Sequence, residues 1–533
     1  MSNPVWTFVS TWSGHESKTP PILIVIIIST IICSPFLKIF RKSWQRVLKR
    51  FQAWNYLFKG VEIVQAAFDK AGGQPFEVFA PDNRYVFVSS PKHIEELDRA
   101  PSSVLSMEAA TKQMLQPQYT MHGHNWFDHR GTEGCGFIKA LRHMLTDNLP
   151  QILPDLTTLV GARFAELCAE SPTMNGSREV LLYPAITKLV VLCNSVSFFG
   201  RDLAKNEAFM TSALEHVEQT FICAEVVRLL PKALAPLVGK LLAMRLGAHK
   251  TIYDTLLPVA QQRCRERDQK DLGQQVPIHL MQVQNDCIQW ILDTSPRKNP
   301  WTPARVVHEI IAIWFGSVHG ISITVTFAIH DLCLHPEYRD PLRQELINQY
   351  TRLETTGVGL PLLDSFIKES ARLSPLESQS TRRAALKPFT FSDGTKVHQG
   401  DWTCTPVRAI MQSAQHYPEP LQFHGFRFVD PLVLEQLSSA TADRHWKDSP
   451  IQNTSARLTD IDSTWLVWGA GHITCPGRFY AAAVMQIILG QIIMGFDYKL
   501  VEDTSSRYMT WRTTMLPGQK TRVLFTPLDK AEK

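Results

Sequence analysis

Residues 20–37 (PPILIVIIISTIICSPFL) form an 18-residue stretch of apolar and small side chains without a charge. That reaches the lower end of what spans a bilayer as a helix. Lys38, Arg41, Lys42, Arg46, Lys49 and Arg50 follow it with no acid among them, while only Glu16 and Lys18 are charged ahead of it. This one-sided basic flank places everything after residue 37 in the cytosol. A cleaved signal peptide would open on basic residues and end at a small-residue site, whereas this chain opens MSNPVWTFVSTW. The pattern therefore predicts a short non-cytosolic tail (1–19), a membrane anchor (20–37) and a basic linker (38–60). Phe40, Trp44, Phe51, Trp54 and Tyr56 suit that linker to the headgroup level.

Beyond the linker the periodicity changes along the chain. Residues 85–89 (YVFVS) read as a short strand. From about 135 to 375 helical periodicity dominates, with breaks expected at Pro150, Pro172, Pro231, Pro258, Pro296 and Pro375. Within it, Thr302-Pro303 is a start signal, and the pattern then runs unbroken to Leu334 before His335-Pro336. A helix of that length measures ~48 Å at 1.5 Å per residue. Its middle, 310–327, is apolar on nearly every side and predicts burial at the protein's centre. Shorter elements follow: a hairpin signal at Asp393-Gly394 within 389–397, a polar irregular stretch over 430–463, an apolar helix near 477–496, and a β-like tail. The fold class is mainly α with small β regions, and 61–533 reads as one catalytic domain.

Composition narrows the function. The net charge of +5 over 533 residues is small, which argues against nucleic-acid binding as the main task. The ten cysteines are scattered with no CxxC pair, so neither a zinc site nor a dense disulfide framework fits. No G-x-S-x-G, HExxH or P-loop motif is present, which removes the common hydrolase and phosphate-binding classes.

The strongest chemical signal is the loop Trp468-Gly469-Ala470-Gly471-His472-Ile473-Thr474-Cys475-Pro476-Gly477-Arg478. Gly469 and Gly471 let a loop bend tightly against a flat ligand. Cys475 then stands at a helix start, where unpaired amides favour a thiolate. A thiolate on iron, opposite bound oxygen, promotes O–O cleavage. A second signal is Glu369-Ser370-Ala371-Arg372, an i, i+3 pair on one helix face. The same spacing occurs at Glu96–Arg99 and Glu225–Arg228, but only this one lies between the long helix and the cysteine loop and ends at a proline.

The cysteine loop resembles the haem-binding signature F-G-x-G-x-[RH]-x-C-x-G of the cytochrome P-450 superfamily. Trp468 stands for the usual Phe and Ile473 for the usual Arg or His. The resemblance implies a cytochrome P-450 fold behind a single N-terminal transmembrane helix, and haem b with Cys475 as the axial ligand of its iron. It implies that Gly469, Gly471, Gly477, His472, Arg383 (or its neighbour Arg382) and Arg142 contact the haem. Glu369 and Arg372 resemble the family's K-helix pair, and Arg427 matches its downstream partner. In the long helix, His319 and Gly320 take the places of the family's acid and threonine, with Ser322 as a further hydroxyl. The implied activity is a monooxygenase using dioxygen and NADPH-derived electrons. The implied partners are NADPH–cytochrome P-450 reductase, cytochrome b5 as a further donor, and membrane lipid at the endoplasmic reticulum. The phrase STRRAALKPFTFSDGT and the histidine in the long helix look most like fungal secondary-metabolism members, which points to an apolar terpenoid or related substrate.

Apolar and aromatic side chains are expected around that substrate: Ile311, Trp314 and Phe315 on the long helix, Met121 and Trp126 ahead of Arg142, and Leu376 after the ExxR helix. Residues 221–237 are apolar apart from Glu225, Arg228 and Lys232 and read as a membrane-dipping entrance or a buried helix pair. Two other functions compete: a haem-thiolate isomerase or dehydratase needing no external electrons, and a non-catalytic haem-binding membrane protein.

Overall fold

The pattern that opens at Thr302 folds as one 32-residue helix, Pro303–Leu334. Thr302 Oγ1 accepts the Arg305 amide at 3.3 Å, and Pro303 occupies a first-turn position where its missing N–H costs nothing. The helix buries most of its side chains from Val306 to Leu332. Around it pack helices Leu182–Phe199, Ala248–Asp271, Pro361–Leu373 and Arg478–Gly495.

This arrangement comes from a computed structural model that describes residues 53–128, 136–273, 285–441, 456–501 and 506–528. The chain divides into two compact units, Met1–Asn55 and Tyr56–Lys533. The tail 1–19, the anchor 20–37 and most of the linker 38–60 lie outside the described residues. Among the described residues three helices, Leu182–Phe199, Pro303–Leu334 and Arg478–Gly495, are long and apolar enough to cross a membrane. All three carry extensive buried faces in the core.

Two sheets flank the helices. One has five strands in the order Phe76–Phe79, Arg84–Phe87, Trp402–Thr405, Ser380–Ala385, Leu105–Ser106. The strand expected over 85–89 is its second member, and it pairs in parallel with Trp402–Thr405. The other sheet joins Phe496–Leu500, Arg522–Pro527, Ser177–Leu181 and Thr173–Met174, all antiparallel. The Asp393-Gly394 signal is a two-stranded hairpin, Phe389–Thr390 with Lys396–Val397, and Gly394 takes φ +90°.

Two expectations differ. Pro258 does not break a helix; it lies inside Ala248–Asp271. Pro258 and Asp254 are both exposed, so the carbonyl that loses its donor four residues back is left to water. The stretch 430–463 was expected to be irregular, yet Pro431–Thr441 is a helix. Asp430 Oδ1 accepts the Leu432 amide at 2.9 Å, and buried Leu434 anchors it.

Candidate active site

Gly469 and Gly471 adopt φ of +84° and +56°. These conformations bend the loop so that the Cys475 amide donates to Trp468 O at 2.8 Å. Thr474 Oγ1 donates to Gly471 O at 2.6 Å. A Cβ on Gly471 would collide with the Asp98 carboxylate, so glycine is required there on two counts. Trp468 Nε1 donates to Leu458 O at 2.6 Å, and the Leu458 amide donates to Asp364 Oδ2 at 2.6 Å. The loop is thus tied back to the ExxR helix Pro361–Leu373. Cys475 precedes Gly477, the N-cap of Arg478–Gly495. Burial pushes the Cys475 thiol above its ordinary pKa, while the Gly477 amide and the Arg478 charge pull the other way.

Cys475 lines a cavity of about 510 Å³. The central helix lines the same cavity with Ala312, Gly316, Gly320 and Thr324, and with Ile313, Ser317 and Ile321. The first four recur every fourth residue, so they share one face, and that face is small. No other atom lies within 4 Å of a Cβ built on Gly316, and only Leu376 Cδ2, at 4.0 Å, meets one on Gly320. Thr324 Oγ1 donates to Gly320 O at 2.9 Å.

The expected residues distribute unevenly over this cavity. Gly469, Gly477, Cys475, His472, Arg142, Gly320 and Leu376 line it. Gly471 stands just behind the loop surface against Asp98. His319 is turned away, its Nδ1 3.1 Å from the Tyr183 hydroxyl, and burial drives its pKa down to about 4. Ser322 is buried behind the wall and donates to Val318 O at 2.8 Å. Ile311, Trp314 and Met121 are core side chains, fully shielded from solvent. Trp314 Nε1 donates to Ala213 O at 2.7 Å. Phe315 packs against the same core, and Trp126 donates to Glu108 O at 3.0 Å. The wall is completed by Met107, Ala110, Met114, Phe137 and Ile138, none singled out from sequence. The signal that finds the helix wall is the four-residue repeat of small side chains, not bulk.

Glu369, Arg372 and Arg427 come together with no solvent exposure. Arg372 reaches Glu369 with Nε and Nη2 at 2.7 and 2.8 Å, and Arg427 Nε lies 3.1 Å from both carboxylate oxygens. The remaining guanidinium protons go to backbone: Arg372 to Met411 O and Gln422 O, Arg427 to Pro418 O and Glu419 O. One buried acid thereby fixes two arginines that pin the segment 411–422. The other ExxR pairs differ. Arg99 meets Glu95 at the surface, whereas Arg228 joins Glu225 and Asp82 inside the protein.

The cavity's residues fit a flat, anionic, iron-bearing group. Cys475 offers one soft donor, and the glycine loop gives a surface without side chains. Arg382 lines the wall and pairs with Glu377, yet its Nε, though buried, has no hydrogen-bond partner. Arg383 lies behind it, 3 % exposed, with one hydrogen bond, to Arg382 O at 3.3 Å, and no ion pair among the described residues. Burial lowers its pKa to about 10. Arg142, in the π-helical stretch Ala140–Leu145, donates to His472 O at 3.4 Å. His472 itself pairs with Asp98 at 2.7 Å.

The family model for cytochrome P450 matches residues 54–525. The chain is 27 % identical to the cytochrome P450 monooxygenase olcJ of Penicillium canescens, over 91 % of this chain and 86 % of that one. It is 25 % identical to the cytochrome P450 monooxygenase paxP of Penicillium paxilli, over 84 % and 81 %. It is 26 % identical to an ent-kaurene oxidase of Gibberella intermedia, over 75 % and 73 %. Among solved structures, the retinoic-acid-bound cyanobacterial CYP120A1 superposes with a TM-score of 0.62 at 17 % identity, covering 89 % of this chain and 97 % of that one. With a central helix, a buried Glu-Arg-Arg core and a cysteine loop in this order, the chain belongs to the cytochrome P450 family and is a P450 monooxygenase. Membership implies a haem cofactor.

Proposed function

We propose that this chain oxidises an apolar terpenoid or related secondary metabolite, with haem held by Cys475 and electrons passed from NADPH by a cytochrome P-450 reductase. The observation that carries this reading is that Cys475 lines a largely apolar cavity together with a strip of small residues on the central helix. The names of relatives that include an ent-kaurene oxidase support the substrate class. When bound, the haem supplies dioxygen activation. The chain's residues do the rest. Cys475 would hold the iron, and Arg142 and Arg382, which line the cavity, would meet the carboxylates of the group, while Arg383 lies behind the wall. The Asp364–Leu458–Trp468 chain of hydrogen bonds keeps the loop in place. The apolar wall excludes water and binds the substrate's skeleton by burial. On the central helix, the hydroxyls at the cavity are Ser317 and Thr324, so these are the side chains placed to hold a proton or a water there.

The proposal includes an anchor at 20–37 with the catalytic unit on the cytosolic face of the endoplasmic reticulum. The basic flank after residue 37 supports it. So do the exposed apolar side chains Ile222, Leu237, Leu241 and Met244 on helices Glu207–Leu229 and Ala235–Arg245, with Leu234 in the turn between them, which suit contact with lipid.

The test is turnover of a terpenoid panel by the full chain with a fungal reductase, NADPH and isotope-labelled dioxygen. NADPH-dependent product carrying one labelled oxygen is expected. Turnover of a peroxide or epoxide substrate that proceeds equally without NADPH would replace this reading with the isomerase.

A further inference from the structure

Among the described residues of the cavity wall only one is an acid, Glu377. It follows Leu376, the side chain that approaches Gly320 of the central helix. It also pairs in a single β-bridge with Thr514 of the C-terminal hairpin, Tyr508–Trp511 with Thr514–Pro517. The carboxylate therefore sits where the segment after the ExxR helix meets both that hairpin and the cavity.

Its hydrogen bonds can be counted. Oε1 accepts from Thr514 Oγ1 at 2.5 Å. Oε2 accepts from Thr513 Oγ1 at 3.1 Å and from the Arg382 guanidinium. A carboxylate offers about four acceptor positions, two on each oxygen. Both positions on Oε2 are occupied, and one on Oε1 is left. Arg382 already supplies this carboxylate with a charged partner, and the open position takes an O–H donor. The polar neighbours on this edge are turned to the protein: Gln379 accepts from the Tyr56 hydroxyl at 3.4 Å, and Thr381 bonds Thr405 at 2.8 Å. Ser380 and Arg382 are the other polar residues that this segment brings to the wall, and Met114 and Leu376 are apolar liners.

We infer that the substrate is an apolar skeleton already carrying a hydroxyl group, and that this hydroxyl donates to Glu377 Oε1. The inference rests on the reading of this cavity as the substrate site and deepens it. A pocket built to accept an O–H rejects the analogue that lacks it far more strongly than an apolar pocket rejects a missing methylene. An earlier hydroxylation or hydration step must then supply this enzyme's substrate.

The experiment is an optical binding titration of the haem-loaded full chain with matched terpene pairs: borneol with bornane, cedrol with cedrane, abietadienol with abietadiene. At least one alcohol should bind about tenfold to a hundredfold more tightly than its hydrocarbon, the range a hydrogen bond to a charged acceptor provides. Glu377→Leu should abolish that preference, and Glu377→Gln, which keeps an acceptor, should retain part of it. Haem content and the carbon-monoxide spectrum serve as controls. If wild type shows a thiolate-haem spectrum but no alcohol preference, or if Glu377→Leu keeps the preference, the inference is wrong and the monooxygenase reading stands. A wild-type spectrum without thiolate ligation would overturn both.

Discussion

Arg427 shows how much a single side chain holds. It shares Glu369 with Arg372 in a fully buried triad and donates to the carbonyls of Pro418 and Glu419. Arg427→Met would leave those carbonyls, and part of the Glu369 charge, without a donor. Removing one partner of a buried ion pair costs about 3–5 kcal/mol. Urea unfolding of the variant should show a loss of that order together with reduced haem retention; a loss within about 0.5 kcal/mol, as for an ordinary surface site, would contradict the role assigned here. Of this triad only the Glu369–Arg372 pair stood out, by spacing together with position, since the same spacing recurs at Glu96–Arg99 and Glu225–Arg228; Arg427 joined it through the family resemblance. The cavity wall was not legible in the sequence. Ile311, Trp314 and Phe315 drew notice by their bulk, but bulk fills the core: Trp314 packs on Phe199 with ring centroids 4.9 Å apart. Space for a ligand lies along the residues that lack bulk, Ala312, Gly316 and Gly320. His319 stood one position from that face, and a one-residue step on a helix turns a side chain by about 100°.

At the scale of elements, the central helix was legible at both ends, because Thr302, Pro303 and His335-Pro336 each have a local physical meaning. Pro258 and Pro431–Thr441 were not, since both depend on which side meets water or core. The ExxR repeat at Glu225–Arg228 had no reading in sequence, because its partners are remote. Asp82 meets Arg228 and Arg512, and Glu225 meets both arginines, in a buried set of four charges. It ties helix Glu207–Leu229 to the turn before strand Arg84–Phe87 and to the hairpin of Tyr508–Trp511 and Thr514–Pro517. Asp82→Ala leaves two buried arginines sharing one acid. Hydrogen exchange should then speed up across 508–517 and the end of helix Glu207–Leu229 while the central helix stays protected. Unchanged exchange in the hairpin would show that the four charges do not fasten it.

For the whole molecule, buried histidines set the acid limit. Burial lowers His124 and His216 to about 3, and His319 and His330 to about 4. Unfolded histidine titrates near 6.5. Between pH 6.5 and about 4.5 the unfolded chain therefore binds these protons and the folded chain does not, so stability falls as pH falls. Four buried acids act in the opposite sense: Glu345 raised to about 7, Asp364 to about 6, and Glu309 and Asp331 raised as well. His249, His308, His416 and His424 are lowered too, so eight imidazoles outweigh four carboxyls in that window. Unfolding free energy should accordingly drop from pH 7 to pH 5, and His124→Phe should flatten the slope; a stability that holds or rises toward pH 5 would refute this balance. At this scale the helical class was legible from periodicity. The packing that makes each histidine neutral was not, because it comes from residues far apart in the chain: His124 stacks on His308 at 4.5 Å.

All of this depends on the sulfur of Cys475 binding haem iron, and the absorption spectrum of the reduced, carbon-monoxide-bound full chain tests it most directly. The wild-type chain should show the red-shifted Soret band of a thiolate-ligated haem, and Cys475→Ser should lose it. A Soret band that is the same with and without the sulfur would contradict the assignment.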